Sequence, residues 1–248
     1  MSRHRYRRLG VTVTIVLALT ACAAGATDQP ATQSTDSPAA TPPSTEAPAP
    51  STTTSVATTT IPPDPADFQA QLGLYSSMRA LWSEHMQWTF ATVDAFFHNP
   101  EGLQAQLDRL LANQADIGTA ITPFYGDEAG QQLTELLNTH INQAVPVLTA
   151  AEAGDTAALE TALDDWYTNA EEIADFVSAA NPQNWPQSAT RPMLTGHIDT
   201  TVVYATDLLQ GDYAAAIAHF DEASHHMLML ADTLAAGIIA QFPEQFGE

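Results

Sequence analysis

From Pro63 onward, apolar residues recur every three or four positions, and no stretch alternates strictly between apolar and polar residues. This spacing is typical of amphipathic helices, whereas half-buried strands show a period of two. Interruptions of the pattern divide the region into six predicted helices. The first covers about 65–97, the second ends at 122, the third covers 127–153, the fourth ends near 179, the fifth covers 189–210 and the sixth ends before Phe242.

The links between these helices are short and carry recognisable end signals. Gly154-Asp155 and Gly211-Asp212 each place a glycine that ends one helix beside an aspartate that caps the next. Short links make consecutive helices antiparallel. We therefore predict an all-α fold, an up-down bundle of six helices built as three hairpins over residues 64–248.

An internal repeat of about 55 residues runs through this region. Each unit has a histidine in its first helix, at His85, His140 and His197. Each second helix carries a polar pair or its remnant three residues apart. The pairs are Asn113 with Asp116, Asn169 with Glu172, and His226 with Met229. Each unit closes with proline and an aromatic residue.

The repeat predicts a polar layer inside the bundle. The midpoints between His85 and Asn113, between His140 and Asn169, and between His197 and His226 all fall in hairpin turns. Residues equidistant from a turn lie side by side in an antiparallel hairpin. The histidines continue the apolar stripes of their helices, so we expect all six side chains to share one interior layer. Asp116 and Glu172 are expected one turn away on the same faces.

Burying so many polar groups is costly unless each finds a partner. Converging imidazoles and carboxylates form transition-metal sites in helix bundles. The candidate ligands are His85, His140, His197, His226, Asn113, Asp116, Asn169 and Glu172. Nitrogen and oxygen donors without thiolate suit iron or zinc best, with manganese or copper as alternatives. A hydrogen-bonded layer without metal, which fixes helix register, and a small-ligand pocket are the competing interpretations.

Inward histidines and carboxylates on helical hairpins resemble the hemerythrin and ferritin-like metal proteins. The resemblance is architectural, because the chain lacks the two Glu-x-x-His motifs of the ferritin-like pattern and has six helices where those proteins use four. It assigns no individual ligand. The stretches 113–118 and 123–126 look like parts of an uncharacterised family of secreted bacterial proteins, which implies no activity.

The N-terminus has the three parts of an export signal. Four arginines precede the apolar stretch from Val11 to Leu19, and Leu19-Thr20-Ala21-Cys22 follows. These four residues resemble the lipobox of bacterial lipoprotein precursors. The resemblance implies removal of residues 1–21 and acylation of Cys22, the only cysteine. Residues 22–63 are rich in Ser, Thr and Pro and are predicted to form a disordered tether. The bundle would then lie outside the cell membrane, held by lipid.

The charge balance limits the partners. From Cys22 onward the chain has three arginines, no lysine and 29 acidic residues, a formal net charge of −26. Such a chain repels phosphate backbones, which argues against nucleic-acid binding. Three functions are compatible with these features: a metal-binding envelope protein, a non-catalytic module that binds another envelope protein, and a metal-dependent enzyme with an open coordination position.

Overall fold

A computed structural model of the chain describes residues 65–247. The predicted signal peptide over 1–21, the lipidation at Cys22 and the tether over 22–63 all lie outside the described residues. The described part is almost entirely helical and contains no strand, so the all-α prediction is confirmed. Six long helices and one short 3₁₀ turn follow one another. They are α1 Pro65–His98, α2 Pro100–Tyr125, α3 Asp127–Ala153, α4 Thr156–Ala180, α5 Gln187–Gln210, α6 Tyr213–Gln241, and the 3₁₀ turn Pro243–Gln245.

Two of the three hairpin turns have the end structure that the sequence predicts. Gly154 and Gly211 adopt left-handed conformations with φ of 67° and 74°, which cost little for glycine. The side chains of Asp155 and Asp212 then accept hydrogen bonds from the backbone N–H groups of Ala158 and Ala215. These caps begin α4 and α6 immediately after the turns.

The second helix is longer than predicted, because Pro123 does not end it. Proline has no N–H to donate to the carbonyl of Thr119, one turn earlier. The hydroxyl of Thr122 donates to that carbonyl instead, over 3.0 Å. This local replacement lets α2 continue to Tyr125.

The helices form a closed ring in chain order. Each helix packs on the next one along the chain, and α6 returns to pack on α1. The first helices of the three hairpins, α1, α3 and α5, also contact each other across the interior. Any residue at an equivalent inward position of these three parallel helices therefore faces its two counterparts.

Helices α2 and α3 approach each other closely where Gly118 meets Gly130. A Cβ atom on Gly118 would lie 2.4 Å from the carbonyl oxygen of Gly130. Only glycine permits that distance, so the pair fixes how tightly the first two hairpins pack.

The proline-aromatic segments that close the repeat units meet at one end of the bundle. Tyr125 lies 5.9 Å from Trp185 and 5.4 Å from Phe242, measured between ring centroids. We call this the open end, since all three hairpin turns lie at the other end. No helix in residues 65–247 is both long and apolar enough to cross a membrane.

Candidate metal centre

Three imidazole rings meet at the centre of the bundle. His85, His140 and His197, from α1, α3 and α5, are 1%, 3% and 3% exposed. The ring centroid of His197 lies 5.5 Å from that of His85 and 5.7 Å from that of His140. We refer to these three residues as the histidine cluster. The internal repeat predicted that they would share one interior level.

An equivalent hydrogen bond joins the two helices of each hairpin, one turn before the histidine of the first helix. A polar side chain of the second helix donates to the backbone carbonyl four residues before the histidine of the first helix. The three bonds are Asn113 Nδ2 to Leu81 O at 3.0 Å, Asn169 Nδ2 to Leu136 O at 3.3 Å, and His226 Nε2 to Met193 O at 2.8 Å. The repeat is therefore a repeat of contacts as well as of sequence, and this bond defines the register of the hairpins.

His85 has a partner that the sequence analysis missed. Gln114 is completely buried beside Asn113, and its Nε2 lies 3.2 Å from Nδ1 of His85. The same Nε2 donates to the carbonyl of Leu110 over 2.8 Å, which fixes the orientation of the amide. His85 Nδ1 therefore accepts, and the proton of the neutral ring is on Nε2. A polar residue at an inward position of the α2 stripe was the available signal.

The hydrogen bonds of His140 leave one of its nitrogens bare. Asn169 uses its Nδ2 on the carbonyl of Leu136, so its Oδ1 must accept from Nδ1–H of His140, 3.0 Å away. The neutral ring then has its lone pair on Nε2. That atom is buried and has no hydrogen-bond partner. An N–H donated to a carbonyl oxygen, with a free lone pair opposite, is the usual state of a metal-ligating histidine.

His197 also has an unpartnered nitrogen. Its Nδ1 is buried without a hydrogen bond, in a ring whose centroid lies 5.7 Å from that of His140. Leaving a buried ring nitrogen unpaired costs about 1–3 kcal/mol. A ligand bound between the rings would remove this cost.

All three rings are uncharged at neutral pH. Burial lowers the pKa of His85 to about 3, and the neighbouring His140 adds to this effect. Burial lowers the pKa of His140 to about 4. The pKa of His197 falls well below its ordinary value because of burial and then because of the other two rings. Imidazole must be neutral to bind a metal ion, and these rings are.

The predicted carboxylate ligands do not reach the cluster. Asp116 is exposed and lies 3.7 Å from the guanidinium of Arg109, and Glu172 is also exposed. The expectation that they share the buried faces is wrong. Asn113 and Asn169 lie at one edge of their helical stripes rather than at the centre. Asp116 and Glu172 stand three residues further on, where the helix has turned by about 60° more. Their side chains therefore point roughly 130° away from the centre of the buried stripe.

His226 lies in the layer but outside the cluster. It is only partly buried, and its Nε2 donates a hydrogen bond to the carbonyl of Met193. Gly196 makes room for the ring, since a Cβ there would lie 3.2 Å from Cε1 of His226. Asn113 and Asn169 are buried but donate to backbone carbonyls. Of the eight predicted ligands, the structure thus brings three together at the centre.

The arginines hold neighbouring helices together at the surface. Arg79 of α1 pairs with Asp232 of α6, Arg109 of α2 with Glu84 of α1, and Arg191 of α5 with Asp175 of α4. Such exposed pairs contribute little, about 0–1 kcal/mol each. None of them places a positive charge in the histidine cluster.

As the side chains stand in residues 65–247, no group of three or more histidine or acidic side chains is arranged to hold a metal ion. Coordination by the cluster would therefore require its rings to turn. Comparison with known proteins gives no further guidance: no family model, no curated protein and no solved structure matches the chain.

Proposed function

We propose that this protein is a lipid-anchored, extracytoplasmic metal-binding protein whose histidine cluster binds one transition-metal ion. The observation that carries the proposal is the bare Nε2 of His140. It is a neutral, buried lone pair in a ring oriented by Asn169, and that ring packs against the neutral imidazole of His197, which in turn packs against that of His85. A divalent ion is the ligand class that such nitrogens bind best, with zinc or iron favoured.

The donor set fits the metal in part. His140 Nε2 has a free lone pair, and His197 Nδ1 has one when the proton of that ring is on Nε2, whereas His85 must first exchange its bond with Gln114. No carboxylate is needed among the metal ligands, because three histidines with water in the fourth position make an established zinc geometry. Asn169 would keep His140 in the correct tautomer.

A purely structural layer is the second candidate, in a non-catalytic protein that binds another component of the cell envelope. It is favoured by the three equivalent bonds to backbone carbonyls, which fix helix register without any metal. It leaves the two bare nitrogens unexplained.

Metal analysis of the purified protein separates the two candidates. We expect about one equivalent of transition metal that survives dialysis against a weak chelator, and its loss in a His140→Ala/His197→Ala double variant. A His140→Gln/His197→Gln variant guards against a failure to fold, and His225→Ala, on the exposed side of α6, is the matched control. A folded wild type that takes up no zinc, iron, manganese or copper would leave the structural layer as the function of these residues.

The anchor has its own test, since it rests on the lipobox Leu19-Thr20-Ala21-Cys22. Mass spectrometry of the protein from bacterial membranes should give a chain that begins at Cys22 and carries fatty acyl groups. Cys22→Ser should release it from the membrane fraction. An unacylated chain whose N-terminus lies elsewhere would exclude the anchor and leave the metal proposal unaffected.

A further inference from the structure

A cavity of about 40 Å³ lies inside the bundle, between the histidine cluster and the open end. Side chains from all six helices line it. Trp82 and Leu194, each three residues before a histidine of the cluster, form part of its wall nearest the cluster. Tyr125 and Trp185, from the aromatic contacts at the open end, form the opposite part.

The cavity follows from the internal repeat. Ile117, Ile173 and Leu230 stand four residues after Asn113, Asn169 and His226, and all three line it. Ile121, Val177 and Leu234 stand four residues further on and line it too. Two successive rings of equivalent residues thus surround one space on the axis of the repeat. Their branched side chains meet the axis from three directions and leave its middle unfilled.

The chemistry of the wall selects the occupant. The wall consists of aliphatic and aromatic side chains, and the hydroxyl of Tyr125 already donates a hydrogen bond to Oε1 of Gln241. Trp82 Nε1 is a wall donor without a partner, but a single donor falls short of the two to four polar partners that a bound water needs, so the space favours an apolar guest. Its volume exceeds the roughly 10–15 Å³ that holds one water molecule and is far below the roughly 150 Å³ that admits benzene.

We infer that this cavity binds one small, uncharged, apolar molecule of the size of dioxygen or xenon. Dispersion contacts with the two rings of side chains would hold the guest, because each wall atom now lacks a partner on the cavity side. Tyr125, Phe176 and Ala180 are partly exposed, so the guest enters from the open end. The inference does not rest on the metal proposal, since no histidine lines the cavity.

Xenon is a direct probe of this site. Crystals of the wild-type protein under xenon pressure should give one xenon peak between Ile117, Ile173 and Leu230. In solution, the protein should shift the ¹²⁹Xe resonance in a saturable way. Leu230→Phe fills the cavity and should reduce the saturable shift at least tenfold. Leu208→Met, a buried substitution away from the cavity, should leave the shift unchanged.

A second variant keeps the test decisive if Leu230→Phe does not fold. Leu230→Ala enlarges the cavity, so benzene should raise the melting temperature of this variant and not that of the wild type. No xenon in the cavity of the wild type, or the same saturable shift in a folded Leu230→Phe variant, would overturn the inference.

Discussion

The three buried neutral histidines should make the metal-free bundle sensitive to mild acid. In the unfolded chain these rings take up a proton near pH 6.5. In the folded chain, burial lowers the pKa of His85 to about 3 and that of His140 to about 4, and that of His197 lies well below its ordinary value. Below pH 6.5 the unfolded state therefore binds more protons than the folded state. Stability must fall as the pH falls through this window.

The size of the effect follows from the linkage relation. Between pH 7.5 and 5.5 a histidine that titrates only when unfolded reduces the free energy of unfolding by about 1.4 kcal/mol. Three such residues reduce it by about 4 kcal/mol, a large part of the 5–15 kcal/mol typical of a domain. The pKa of His219 is raised by its bond to Asp207, so this residue acts in the opposite direction. Its side chain is 39% exposed, which keeps its contribution small.

Urea unfolding followed by circular dichroism, with a chelator present, measures this loss at pH 7.5 and pH 5.5. The wild type should lose about 4 kcal/mol between the two values, and His140→Gln about 1.4 kcal/mol less, because one of the three titrating groups is gone. Comparing two pH values within each variant cancels its general change in stability. His225→Gln, an exposed control, should behave like the wild type. A wild type equally stable at both pH values, or a His140→Gln variant with the wild-type loss, would refute the assignment of neutral buried rings.

Four substitutions test the helix packing, a helix cap and the polar layer by thermal or urea unfolding. Gly118→Ala should destabilise the protein by about 1–3 kcal/mol, because its Cβ would meet the Gly130 carbonyl at 2.4 Å. Gly73→Ala, which has open space around it, should stabilise the protein by about 0.5–1 kcal/mol. Equal effects of the two substitutions would contradict the close α2–α3 contact. Asp155→Ala should cost about 1 kcal/mol through loss of the α4 cap, and no cost would contradict the capping bond. Asn169→Leu should cost about 1–3 kcal/mol and lower metal affinity 10–100-fold; unchanged affinity would exclude its orienting role.

The fold was predictable because its determinants are local in the sequence. The three- and four-residue spacing, the glycine-aspartate pairs and the repeated histidine each act within one hairpin, and the structure has the six helices they indicate. The exception at Pro123 also has a local cause. The hydroxyl of Thr122 replaces the missing hydrogen bond, and the sequence does not reveal that choice in advance.

The sequence predicted that three histidines share one interior layer of the bundle. It did not predict which neighbouring side chains lie beside them. His85, His140 and His197 meet because a repeat places equivalent residues on parallel inner helices. The orientation of each neighbouring side chain depends on a few tens of degrees of helix rotation. That rotation exposes Asp116 and buries Gln114, and the hydrophobic period alone does not resolve it.

The most direct test of the metal proposal is anomalous X-ray diffraction from crystals of the metal-loaded protein, recorded at the absorption edge of the metal found by elemental analysis. The proposal predicts one strong peak inside the bundle, about 2.0–2.2 Å from a nitrogen of each of His85, His140 and His197. A loaded crystal with no peak among these rings, or with metal only at surface carboxylates, would contradict it and leave the histidine cluster as a packing device.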